Sequence, residues 1–246
     1  MSASTAVLRT EARLFGREPG ALFWVLLFPT VLMVILGMIP DFREPSADLG
    51  GRRTIDLYVP VAVLLSMIMA GLQAMPPTLV GYRERGILRR MSTTPVRPAT
   101  LLGAQIVVNA VAALGSGLLV LLVGRLAFDV ALPKQLFGYV LALALAVLAA
   151  LALGATVCAV TRTTKAAQAV GSVIFFPTMF TAGVWIPVQA MPDTLRAIVE
   201  ITPLGAASQA LDDAMLGAWP GWDHLGVLAA WMIVLIAAAS RWFKWE

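Results

Sequence analysis

Charge is scarce in this chain. Only 13% of its 246 residues are Asp, Glu, Lys or Arg, against about 25% in a soluble domain. A soluble fold of this length would show a largely apolar surface, so 59% hydrophobic residues point to an integral membrane protein. Histidine and cysteine are scarcer still, at one each. A single His224 and a single Cys158 cannot build the clusters of His, Cys and acids that a membrane metalloenzyme needs. One cysteine forms no intrachain disulfide, and Cys158, inside an apolar run, reads as a small hydrophobe. His224, alone at the edge of an apolar run, reads as structural. No G-x-x-x-x-G-K-[ST] phosphate loop is present, which excludes an ATP site of that kind. The first twenty residues carry Arg9, Glu11, Arg13, Arg17 and Glu18 without an apolar core. No cleavable signal peptide is expected, and the first apolar helix serves as the insertion signal.

What is abundant is hydrocarbon in long runs. A spanning helix needs about 20 apolar residues to cross about 30 Å. Six stretches qualify, at about 20–40, 57–80, 99–124, 136–160, 167–188 and 224–240, and none contains Asp, Glu, Lys or Arg. Pro29, Pro60, Pro76, Pro77 and Pro177 lie inside them, where neighbouring helices can satisfy the freed carbonyls. Gln73, Gln105 and Asn109 are the strongest polar groups at membrane depth. Proton- or sodium-coupled transporters usually place ionisable groups there, so the absence counts against them. The fourth run is rich in Ala and Gly, which allows close helix approach.

The net charge of +4 sits between the apolar runs, which favours membrane orientation over nucleic-acid binding. With the N-terminus inside, the inner segments hold Arg9, Arg13, Arg17, Arg83, Arg85, Arg89, Arg90, Arg97, Arg162, Lys165, Arg241 and Lys244. The outer ones hold Arg43, Arg52, Arg53, Arg125, Lys134 and Arg196, the first three among Asp41, Glu44, Asp48 and Asp56. The bias predicts both termini in the cytoplasm.

Residues 1–18 read as an interfacial amphipathic helix, with Arg9, Arg13 and Arg17 on one face and Val7, Leu8, Leu14 and Phe15 broadly opposite. Glu11 interrupts the apolar arc and is expected either to meet water and headgroups or to pair with an arginine of 83–90. Between Pro187 and Pro220, the amphipathic pieces 193–201 and 205–217 are too short to cross and read as re-entrant or interfacial helices on the outer side. Trp219, Trp222, Trp242 and Trp245 sit at span ends, as belt tryptophans do.

The stretch 81–96, GYRERGILRRMSTTPV, is the charged exception in the middle of the chain. On a helical wheel Ile87, Leu88 and Met91 share a side with Glu84, while Arg83, Arg85, Arg89 and Arg90 fill the rest. Such a helix lies flat at the inner surface. As a topology anchor its arginines suffice, but Glu84 adds nothing to orientation, and Pro95 and Pro98 stop the segment sharply.

The pattern Arg83-Glu84-x-Gly86-x-Leu88, followed by Thr94-Pro95-Val96, resembles the cytoplasmic coupling segment of type-2 ABC exporter permeases, and within them the drug-resistance branch. Gly183 to Pro187, Met191-Pro192 and Pro203-Leu204 resemble the family's stretch after the fifth span. Many members carry a second acid shortly after the Gly, where this chain has Arg89 and Arg90. The resemblance covers nearly the whole chain. It implies an all-α membrane fold as one permease domain, 1–246, with six spans, the N-terminal interfacial helix, a coupling segment 81–96 between spans two and three, and short outer helices within 189–220. It also implies a second permease copy and two separate ATPase subunits that hold ATP and Mg, so that this chain has no cofactor and no catalysis of its own. Arg83, Glu84, Arg85, Gly86, Ile87, Leu88, Arg89, Arg90 and Met91 would then contact the ATPase, the charged groups through charge-assisted bonds and Ile87, Leu88 and Met91 through apolar contact.

The function expected is the membrane subunit of an ATP-driven exporter of a hydrophobic or amphipathic substrate, a drug, lipid or lipid-linked compound. The alternative is an ion-gradient-driven secondary transporter or channel acting alone, lined by Gln73, Gln105 and Asn109. A membrane scaffold or lipid-modifying enzyme is a third class, against which the missing catalytic clusters count. A substrate path is expected between two protomers, along spans two and five, past Gln73, Met67, Met69, Met75, Phe175, Phe176, Met179 and Phe180, since Met and aromatic surfaces adapt to varied apolar cargo. Fifteen Arg against three Lys, with abundant Ala, is the usage of a GC-rich bacterial genome, which places the protein in a bacterial plasma membrane.

Overall fold

The computed structural model describes residues 3–91 and 98–242. Among them the chain forms ten helices: α1 Ala3–Phe15, α2 Pro19–Gly37, α3 Thr54–Glu84, α4 Ile87–Met91, α5 Pro98–Phe128, α6 Leu136–Val160, α7 Thr164–Thr181, α8 Asp193–Glu200, α9 Pro203–Leu216 and α10 Trp222–Trp242. Thr94, Pro95, Val96, Arg97, Lys244 and Trp245 lie outside the described residues. One departure from an all-helical chain is a hairpin of two-residue strands, β1 Pro45–Ser46 against β2 Arg52–Arg53.

Among the described residues five helices are long and apolar enough to cross a membrane: α2, α3, α5, α6 and α10. The stretch 167–188 was expected as another and differs. Its helix α7 has 18 residues, starts at Thr164 and stops at Thr181, a rise of about 27 Å. Lys165, Gln168, Ser172, Thr178 and Thr181 dilute its hydropathy. Beyond it Gly183 adopts a left-handed φ of 88° and turns the chain.

The centre of the bundle is α3. Its apolar window is 94% buried, while the other four spans are 17–50% buried. Glycines let neighbours close on it. A Cβ on Gly154 of α6 would strike the Gly71 carbonyl oxygen, and one on Gly71 would strike that of Ala150. A Cβ on Gly171 of α7 would come within 2.9 Å of the Leu72 carbonyl. Small residues thus set the spacing where packing, not hydrophobicity, joins helices.

A wider π turn precedes Pro29 in α2, at Leu22–Leu27, and Pro76 and Pro77 in α3, at Met69–Ala74, while Pro60 stands within regular α-helix near the start of α3. A proline ring clashes with the carbonyl four residues back and offers no N–H. Looser winding upstream accommodates it without ending the helix.

The amphipathic pieces after α7 are the helices α8 and α9. Helix α9 opens on Thr202, which accepts from the Gly205 N–H at 3.2 Å, with Pro203 at its first position. It closes on Gly217 at φ 98°. It is not a surface helix: Leu204, Ala207, Leu211 and Ala214 are buried, and α9 packs between α6 and α10. The charges around it are paired. Arg52 donates to Asp212 at 2.9 and 2.5 Å, and Arg53 donates to Asp56 at 2.9 and 2.6 Å. The bonds to Asp212 hold the Arg52 guanidinium above its ordinary pKa, against the opposing effect of burial. Trp219 stacks on Phe137 at 5.9 Å beside exposed Trp222 at this end, and Trp242 is exposed at the other.

Candidate functional site

The charged stretch expected as one helix is two. Helix α3 runs through Arg83 and Glu84, and the chain then turns at Gly86, whose φ is 67°. The Gly86 N–H donates to the Arg83 carbonyl at 2.9 Å. Among the described residues nothing lies within 4 Å of a Cβ on Gly86, and its left-handed φ is what calls for glycine. Helix α4, Ile87–Met91, follows at a new direction. Glu84 therefore belongs to the end of the central helix and does not share a face with Leu88.

Arg83 and Glu84 hold the turn between α6 and α7 from both sides. Arg83 Nη1 donates to the carbonyls of Cys158 and Thr161, at 3.0 and 2.9 Å. Those oxygens lie at the C-terminus of α6, where a cation is favoured. Glu84 Oε2 accepts from the Thr164 N–H at 3.0 Å and from its Oγ1 at 2.6 Å. That is the first turn of α7, where an anion is favoured. Thr163 caps the same turn, accepting from the Ala166 N–H at 3.2 Å. Two adjacent residues of opposite charge thus clasp two oppositely directed helix ends.

Arg85 donates to the Gly81 carbonyl at 3.0 Å and lies over the Tyr82 ring at 5.6 Å. Leu88 is buried with Tyr82 and Leu101, and Ile87 and Met91 pack on them together with Val7 of α1. The apolar side of α4 is thus turned toward its own chain. Glu84, Arg85, Arg89 and Arg90 stand exposed on the outside.

Glu11 meets neither of its expected surroundings. It is 5% exposed, on the inward face of α1 with Val7, Leu8 and Phe15. Its Oε2 accepts from Tyr82 Oη at 2.9 Å and from Gln105 Nε2 at 2.5 Å. Asn109 Nδ2 donates in turn to Gln105 Oε1 at 3.1 Å. Neutral donors on α3 and α5, not arginines, hold this carboxylate. Gln105 and Asn109, at i and i+4 on one face of an apolar helix, were the signal for it. Tyr82 and Thr164 carried none.

Of the path residues, Met67, Met69, Met75, Phe175 and Met179 are buried in the protomer core. Gln73 and Phe180 are half-buried. Phe176 is 59% exposed, on the strip of α7 that also exposes Gln168, Ser172 and Val173. Phe176 is therefore separated from the methionines, which face inward.

These features belong to a bundle of helices long and apolar enough to cross a membrane, built around one central helix. The sequence pattern of the ABC-2 type transporter family matches residues 3–216, and the chain belongs to that family. It is 23% identical over 219 residues to a Bacillus subtilis (strain 168) protein named "Putative transport permease YvfS", a match that covers 87% of this chain and 85% of the relative. The chain is a multi-pass membrane protein and the permease subunit of an ABC-2 type transporter. The ABC-2 permease domain has no ATPase site and no cofactor-binding group. ABC permeases generally pair with nucleotide-binding ATPase subunits.

Proposed function

We propose that this chain is one half of the membrane channel of an ATP-driven exporter, in the drug-resistance branch of the family. It moves a hydrophobic or amphipathic compound out of a bacterial cell. Two copies pair as a single-domain permease and two ATPase subunits dock beneath them. Both termini, α1 and α4 are cytoplasmic, α7 is the fifth of six crossings, and α8 and α9 lie on the outer side. ATP-driven movement enters through Arg83 to Met91. The observation that carries the proposal is the clasp of Arg83 and Glu84 on the α6–α7 turn. A displacement at the exposed face of Arg85, Arg89 and Arg90 reaches α4 and the end of α3. Through the clasp it reaches α6 and α7 at once, so three helices move as one lever. Exposed Phe176 and Ser172 on α7, with half-buried Gln73 and Phe180, support a path at the protomer interface. Met69 and Met179 back that surface from inside.

The test is reconstitution in liposomes with a lipophilic fluorescent dye as cargo. Dye movement that needs both the ATPase subunit and ATP supports the proposal. Movement by the chain alone, driven by an ion gradient, contradicts it and favours a secondary transporter.

A further inference from the structure

A cavity of about 480 Å³ opens where α1, the start of α2, the lower part of α3, α5 and the start of α7 meet. Its size falls within the range of about 300–1,000 Å³ usual for small-molecule sites. One wall is apolar, with Leu14, Phe15 and Pro77, and the other carries Glu11, Glu18, Arg85, Gln105 and Asn109. Two acids face one arginine there, and Arg85 is itself engaged by the Gly81 carbonyl and the Tyr82 ring. Tyr82 Oη and one hydrogen of Gln105 Nε2 go to Glu11 Oε2, and Asn109 Nδ2 donates to the Gln105 carbonyl and Oε1. Among the described residues, no hydrogen bond ends on Glu11 Oε1. Asn109 is 1% exposed, and its Oδ1 has no partner. A buried acceptor without a donor is costly. Glu11 Oε1, Asn109 Oδ1 and the Glu18 carboxylate remain as acceptors, the setting for a hydrogen-bond donor that carries positive charge. Asn109 lies eleven residues into α5, about 16 Å along the helix, so the site reaches apolar depth.

We propose that this cavity binds the protonated amine head of an amphiphile, with Glu11 and Asn109 taking the ammonium hydrogens, Glu18 attracting the charge and Leu14, Phe15 and Pro77 covering the first part of the chain. The amine belongs either to a bilayer lipid such as phosphatidylethanolamine or to a free amphiphilic amine. Binding needs neither ATP nor a partner, so the site stands or falls separately from the transport proposal.

The experiment uses the full chain in phosphatidylcholine nanodiscs, whose headgroups have no N–H, with radiolabelled dodecylamine as probe. One saturable site per chain is expected, without saturable binding of dodecanol or dodecanoate. Glu11→Gln weakens the site roughly tenfold or more, the scale of one buried charge-assisted bond. Because Glu11→Gln also touches the seat of α1, Asn109→Leu and Glu18→Gln are measured beside it, and each weakens binding by a few-fold. Replacing part of the phosphatidylcholine by phosphatidylethanolamine separates the sources. Competition supports the site with the lipid as occupant, and unchanged binding supports it with the free amine. Equal binding of the amine to all three variants, or equal binding of the alcohol and the acid, overturns the proposal.

Discussion

The two ends of the bundle treat their acids differently. At the α8–α9 end carboxylates are held by arginines: Asp212 by Arg52, Asp56 by Arg53, Asp129 by Arg125, Glu200 by Arg196. At the α1–α4 end Glu11 and Glu84 are held by neutral donors, from Tyr82, Gln105 and Thr164. Ion pairing cancels charge locally. Neutral donors satisfy a carboxylate without spending a cation on it. The first end holds ten acids against six basic residues in the sequence, so pairing its arginines leaves it net acidic, and exposed Arg9, Arg13, Arg17 and Arg85 add positive charge at the second. On the orientation proposed above the α1–α4 end faces the cytoplasm, and its exposed arginines give it a positive field.

The comparison can be broken most severely between the ends. Gly154→Leu drives a side chain into the Gly71 backbone that both ends hang from. A loss of about 3 kcal/mol or more is expected, read as lost accumulation in the membrane or a lowered Tm. Next is Arg52→Ala. It strands Asp212, whose side chain is 6% exposed against 25% for Arg52, and costs about 2–3 kcal/mol after discounting the half-open arginine. Restoring neutrality with Arg52→Ala plus Asp212→Ala returns part of that loss, and a double mutant no better than the single would show that the pair is not the cause. Glu11→Ala at the other end leaves the Tyr82 and Gln105 donors without an acceptor, at about 2 kcal/mol. Its signature is release of α1, measured as faster amide exchange over Ala3–Phe15 with α8 and α9 unchanged. The smallest effect is Arg125→Ala, because both partners of that pair are half or more exposed, and a change within about 0.5 kcal/mol is expected.

Five of the six expected spans match long apolar helices among the described residues, because apolar runs bounded by charges or prolines leave little choice of placement, while 167–188 does not. The stretch 20–40 became Pro19–Gly37, and 136–160 became Leu136–Val160. Residues 193–201 and 205–217 were legible as short helices because prolines bracket them. The break at Gly86 was harder. A helical wheel assumes a continuous helix, and one left-handed residue rotates everything after it. The clasp was not legible in the sequence, and the Glu11 seat only in part: Gln105 and Asn109 marked a polar face on an apolar helix, but nothing aimed it at Glu11. Gln105 lies 94 residues from Glu11, and Thr164 lies 80 from Glu84. No local pattern selects one neutral donor out of many at such a distance. Gly71, Gly154 and Gly171 were visible only as small residues, and their pairing across the bundle is a property of the packed helices.

The central claim is that Arg83 and Glu84 make the end of α3, α6 and α7 one lever. It is tested most directly in the purified complex with its ATPase, by measuring cargo moved per ATP hydrolysed for wild type and Glu84→Arg. The substitution turns a carboxylate at the α7 N-terminus into a cation, while Thr164→Val, which removes only the side-chain donor, serves as a milder companion. The lever predicts that the ATPase stays bound and hydrolyses ATP while cargo per ATP falls at least about tenfold in Glu84→Arg and by a smaller factor in Thr164→Val. An unchanged ratio in folded Glu84→Arg protein would contradict it.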